Sequence, residues 1–96
     1  MTGIELIAAE RKRQIEEEGY TAEHDDRWKN GELAMAGACY AMLSNWNNEK
    51  MIFEQFWPFN ENYWKPSPKN HLQELKKAGA LIAAEIDRLL RLKDNN

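Results

Sequence analysis

"SPKNHLQELKKAGALIAAEIDRLLRL", residues 67–92, decides the fold class. Leu72, Leu75, Gly79, Ile82, Ile86 and Leu89 recur at alternating spacings of three and four, the period of a helix face and not of a strand. Ser67 is a good N-cap, and Pro68 suits the first helical position, where its missing N–H removes no bond. The spacing predicts one long helix over 67–92 with those six residues as its core stripe. Asp87 and Arg91 stand four apart on the predicted wet side, a spacing that suits an ion pair. Asp94, Asn95 and Asn96 are expected to fray.

Immediately before this helix, "WPFNENYWKPSPK" places four aromatics and three prolines within residues 57–69. Pro66 and Pro68 disfavour helix in the residues that precede them, so an ordered loop pinned by aromatic packing is expected. "MIFEQF", residues 51–56, has enough apolar groups for a short helix that Pro58 ends. Residues 44–50 are polar and loop-like. Further back, "GELAMAGACYAML" (31–43) is apolar almost all round and rich in Ala and Gly. It is read as a central helix near 30–44, capped by Asn30 and buried against neighbours or another subunit.

The first helix is expected near 3–18. Thr2 followed by Glu5 forms a capping-box pattern, and Gly19 is a natural stop. Ile4, Ile7, Ala8 and Ile15 make its apolar face, interrupted by Arg11 with Gln14 and Glu18 beside it. Polar groups on an inner face need partners, and Glu85 of the last helix is the expected one for Arg11. Between the first two helices lies "EGYTAEHDDRWKNGELA" (18–34), where Thr21 is placed to cap a single turn. No alternating strand pattern, hairpin signal or repeat is present. The expected fold is all-α: one domain over 1–96, a small bundle of three main helices plus a short helix and an aromatic, proline-rich loop.

Composition narrows the function classes. Ninety-six residues with 43% hydrophobic content, four Trp, three Tyr and three Phe describe a globular chain. A net charge of −3 argues against duplex nucleic acid, which rewards a basic face. No apolar run approaches the roughly 20 residues that span a bilayer. With no export signal visible and a single cysteine, Cys39, a cytoplasmic location is expected. Walker, dinucleotide-binding, zinc-finger and serine-elbow motifs are absent.

Three blocks, "IAAERKRQIEEEGYTAEHDDRWKNGELAMAGACYA", "WPFNENYWKP" and "LKKAGALIAAEIDRL", resemble in order a family of short proteins encoded by tailed phages and prophages. The likeness covers nearly the whole chain apart from residues 44–56, and relatives tend to carry Trp at the places of Phe59 and Tyr63. The resemblance implies phage origin and action inside a bacterial cell. It carries no functional residues onto this chain.

Two constellations could carry chemistry. Glu18, His24, Asp25 and Asp26 are carboxylate and imidazole groups of the kind that hold Mg²⁺ or Mn²⁺. Metal-dependent all-α nucleotide pyrophosphatases of the MazG type pair Glu-x-x-Glu with Glu-x-x-Asp. Here Glu23-x-x-Asp26 occurs without any Glu-x-x-Glu, so the arc is read instead as helix caps and salt links. Trp57, Tyr63, Trp64, Lys65 and Lys69 form the second constellation. Rings stack on nucleobases, and ammonium groups with free helix-start amides hold phosphates. Arg11 is the expected additional cation.

These features favour a phage-encoded, non-enzymatic binding protein that needs no cofactor. It would be a homo-oligomer, dimer or higher, sequestering a small nucleotide-like signal as a counter-defence. A metal-dependent pyrophosphatase using Mg or Mn, and an inhibitor docking on a host protein, are the alternatives.

Overall fold

The computed structural model describes residues 1–45 and 48–94. Trp46, Asn47, Asn95 and Asn96 lie outside them, and with them the middle of the polar 44–50 segment and the end of the tail expected to fray. Every regular element among the described residues is helical: α1 (Gly3–Glu17), α2 (Ala22–Asp25), α3 (Glu32–Asn45), α4 (Glu49–Phe56) and α5 (His71–Asp94), with a 3-10 turn at Glu61–Tyr63. No helix among them is long and apolar enough to cross a membrane.

Local chemistry sets the element ends. Thr2 Oγ1 accepts from the Glu5 amide at 3.2 Å while Glu5 Oε1 accepts from the Thr2 amide at 3.0 Å, a complete capping box. Gly19 follows the end of α1 with φ +77°, the left-handed conformation that glycine adopts without strain. Thr21 Oγ1 accepts from the His24 amide to start α2. Asn30 does not cap α3. Its own amide donates to Glu32 Oε1 at 2.7 Å, and Gly31 (φ +81°) makes the turn.

The long helix begins later than its sequence suggests. Lys69 has φ +65°, a conformation no helix contains, and Asn70 Oδ1 accepts from the Gln73 amide as the cap. Ser67 and Pro68 therefore belong to the preceding turn, where the Ser67 amide donates to Glu74 Oε1 at 2.8 Å.

The core is small and centred on α3 against α5. Leu33, Ala36 and Tyr40 meet Ala78, Leu81 and Ala84, while Cys39 of α3 and Ile52 of α4 are fully buried as well. Approach is very close: a Cβ at Gly37 would stand 3.0 Å from the Ala78 carbonyl oxygen and 3.1 Å from Ile82 Cγ1. Burial of α3 by its neighbours in the same chain accounts for its apolar girth.

Two expected core stripes are turned outward. On α5 the buried positions are Glu74, Lys77, Ala78, Ala80, Leu81, Ala84 and Arg88, while Leu72, Leu75, Ile82, Ile86 and Leu89 are exposed. On α1 only Glu10 and Gln14 are buried, and Ile4, Ala8 and Ile15 are exposed. Periodicity marks an apolar face without saying what covers it. Here the small residues of α3 require small residues opposite, and Ala78 and Ala84 supply them on the other side of α5.

Expected ion pairs are re-partnered too. Arg11 donates to the fully buried Asp25 at 3.0 Å and to the Tyr20 carbonyl at 3.1 Å. Glu85 engages Arg88 through two bonds, and Arg91 reaches Asp26 at 2.7 Å, not Asp87. Asp25→Ala leaves the Arg11 guanidinium mostly buried without its counter-ion, and the expected loss is about 3–5 kcal/mol. A urea titration checks this as a lower midpoint at unchanged slope, with most of the loss recovered in Arg11→Met/Asp25→Leu.

Candidate functional site

The acidic arc and the aromatic loop, far apart in sequence, form one continuous run of rings. Tyr20 stacks on His24 (4.8 Å, 9°), His24 meets Trp28 edge-on, and Trp28 meets Phe59 at 4.7 Å. Phe59 contacts Trp57 and Tyr63, and Trp57 contacts Trp64 at 4.6 Å. Tyr40 ends the run with its ring on Trp64 (5.3 Å, 19°). The loop is tied down through Tyr40, whose hydroxyl accepts from the Lys65 amide at 3.0 Å and donates to the Tyr63 carbonyl. Burial pushes the Tyr40 hydroxyl well above the ordinary phenol range, and takes Tyr20 up to about 12.

Beneath these rings, α1 and α5 meet through a polar seam. Arg13 binds both oxygens of the buried Glu10 (2.9 and 2.8 Å) and reaches Glu17 and Glu18. Lys65 donates to Glu18 at 2.8 Å. Lys77, buried on α5, donates to the Lys65 carbonyl and to Ser67 Oγ, and lies 3.7 Å from Glu74. Its amine also stands 5.3 Å from the centre of the Tyr40 ring. Burial lowers the Lys77 pKa and raises that of Glu74, because the charged form of each is poorly solvated there. Hydrogen bonds from Lys65 hold the Glu18 carboxyl below its ordinary 4.5, and those from Arg13 add to the effect.

Ring run and seam enclose a cavity of about 30 Å³, lined by Tyr20, Tyr40, Trp57, Phe59 and Tyr63 on one side and Arg13, Gln14, Glu18, Lys65 and Lys77 on the other. That volume suits a water or two, not a nucleobase. Gln14 is 3% exposed, and its Oε1 makes no hydrogen bond. A buried acceptor without a donor is uncommon and marks this as a place where a polar ligand atom gains a partner.

The sequence-predicted ligand residues divide. Trp57, Tyr63 and Lys65 line the cavity. Trp64 packs on Tyr40, Trp57 and Phe53, with an outer edge in an open hollow beside Glu49 and Lys50. Lys69 lines a different cleft with Leu43, His71 and Glu74. Arg11 faces Asp25. The helix-start amides accordingly lie with Lys69, away from the rings that were expected to share a ligand with them.

The candidate metal residues are also separated. Glu18 engages Lys65 and Arg13; Asp25 engages Arg11 and, through Oδ1, His24 Nδ1 at 2.9 Å; Asp26 engages Arg91. No group of three His, Cys, Asp or Glu among the described residues is arranged to hold a metal ion. Glu10, Arg13, Tyr20, Tyr40 and Lys77 were missed as site residues. The available signal was a second face on α5, where Glu74, Lys77, Leu81, Ala84 and Arg88 share one side with the small Ala78.

No match to this chain was found among protein-family models, curated proteins or solved structures.

The lowered Glu18 pKa gives a signed pH dependence. Its ion pairs contribute fully above the unfolded value of 4.5 and are lost as pH falls through the lower folded value. In urea titrations the stability gap between the native chain and Glu18→Gln is expected to be open at about pH 6 and to close towards about pH 3.

Proposed function

We propose that this chain is a phage-encoded binding protein that captures a small nucleotide-like ligand and leaves it intact. The convergence that carries this reading joins four parts of the chain. Aromatic rings from α3 and the loop, cations from α1, the loop and α5, and the unpaired Gln14 Oε1 surround one cavity. Phage origin is what the likeness of the three sequence blocks implies, and sequestering a host nucleotide signal is the counter-defence role that suits a capture protein.

A base is placed on the lip of the cavity, not inside it. Tyr63 is 43% exposed there and presents a ring to stack on, with Phe59 behind it. Lys65, also accessible, is the first cation that a phosphate meets. A phosphate competes with Glu18 for Lys65 and Arg13, and departure of the Glu18 carboxylate opens the seam to the ligand. Glu18, Asp25 and Asp26 of the arc each hold a cation, which supports capture over divalent-metal hydrolysis.

The test is to incubate the protein with a panel of linear and cyclic nucleotides, with and without Mn²⁺. Chromatography then follows before and after heat denaturation. Intact ligand recovered from denatured protein is the expected result. Cleaved product would replace this reading with the pyrophosphatase, and no depletion would replace it with docking on a protein. For a captured nucleotide, Tyr63→Ala is expected to weaken binding by about tenfold or more, the loss of one stacking contact. Glu18→Gln is expected to tighten it, and Lys69→Ala to leave it unchanged in a calorimetric titration. Trp64→Ala is expected to act through stability, at about 3–5 kcal/mol for a large packed ring.

A further inference from the structure

The outward apolar stripe of α5 is the feature that the proposed site does not use. Leu72, Leu75, Ile82, Ile86 and Leu89 are each between 43% and 59% exposed, in an unbroken three-four repeat. The slot over Gly79 is filled by Ile7 of α1, whose Cδ1 stands 2.6 Å from where a Cβ would lie, so the stripe is continuous. Ile4, one turn back on α1, extends it at 82% exposed. Scattered apolar residues are normal on a surface; a helix-long row of them marks an interface.

We infer that this face seats a second copy of the same chain, with the two α5 helices antiparallel about a two-fold axis. Three observations select that occupant. First, the stripe is self-complementary when reversed: Leu72 falls opposite Leu89, Leu75 opposite Ile86, and Gly79 with its Ile7 filler opposite Ile82. Alternate a and d positions meet in this way in antiparallel coiled coils. Secondly, the rim is complementary to itself. Lys76 and Asp87, three turns apart on one flank, form no ion pair among the described residues. Reversal brings Lys76 of each copy to Asp87 of the other, once at each end.

Thirdly, the apolar strip runs the whole helix. At about 36 Å by about 10 Å it presents roughly 360 Å², to which Ile4 of α1 adds, so the contact is smaller than a standard interface of roughly 800 Å² per partner and owes its strength to its apolar content. The inner faces of α1 and α5 carry Glu10, Gln14, Glu74, Lys77 and Arg88 beside Ala78, Leu81 and Ala84, so the outward Leu72, Leu75, Ile86 and Leu89 are left for a second copy to cover.

Sedimentation velocity at tens of micromolar tests the inference on the intact chain. The expected mass is at least twice 11.3 kDa, falling to 11.3 kDa in Leu75→Glu/Ile86→Glu with helical circular dichroism retained. Lys76→Glu or Asp87→Lys alone should weaken the assembly several-fold, and the two together should restore it. Register is read by crosslinking. Residues 75 and 86 of one chain lie about 16 Å apart along the helix and cannot bridge to each other. Leu75→Cys/Ile86→Cys should therefore give a covalent dimer on oxidation, while Leu75→Cys alone should not; Cys39 is buried. A native chain that sediments as a monomer at this concentration overturns the inference. So does an assembly that survives Leu75→Glu/Ile86→Glu, or a Leu75→Cys chain that crosslinks as well as the double variant.

Discussion

The close approach of α3 to α5 governs the rest of the molecule. With the place of a Gly37 Cβ only 3.0 Å from the Ala78 carbonyl, the two helices meet almost backbone to backbone. Large side chains cannot occupy that contact. The face of α5 that turns inward must therefore be the one with Ala78 and Ala84, whatever else that face carries. What else it carries is Glu74, Lys77 and Arg88, and burying those charges creates a demand for partners that the loop meets for Glu74 and Lys77 and that Glu85 of α5 itself meets for Arg88.

That demand explains the polar seam. Glu10 and Gln14 turn inward where α1 packs on α5; Arg13 of the same helix holds Glu10, and Glu18 joins Lys65 at the edge. Each buried charge has a counter-charge within 4 Å, Lys77 and Glu74 being the longest such pair at 3.7 Å, which is the condition for tolerating it. The Tyr40 hydroxyl fixes the backbone of residues 63–65 from below, so the rings of the loop are held in place by α3. Ring platform and cations thus share one rigid support, which lowers the entropy lost when a ligand is held. The same choice of inner face turns the leucine and isoleucine row outward, so the proposed site and the proposed assembly face follow from one packing decision.

Sequence alone determined that the chain is helical, where most helices begin and end, and that aromatic and charged residues concentrate in two segments. These are local properties. A capping box at Thr2 and Glu5, a glycine at position 19 and a three-four repeat act over a few residues and need no distant partner. Trp57, Tyr63 and Lys65 were legible as candidates because aromatics beside a cation form a chemical pattern within nine residues.

Tertiary structure decided which faces are buried and which charges meet. Glu85 was the expected partner of Arg11 in the sequence; the path of the chain after Gly19 brings Asp25 to 3.0 Å instead. Lys77 carried no signal of its own in the sequence because nothing nearby says that Tyr40, Ser67 and Lys65 will surround it. The leucine row of α5 read as core because an apolar face must be covered. Hydrophobicity is non-directional, so a pattern states the need for burial without naming the surface that meets it. For α3 the cover lies within the chain, through small residues that allow contact with α5. For α5 the inner contact went to the face of Ala78, Leu81 and Ala84, where Ala78 lets the backbone come within reach of Gly37.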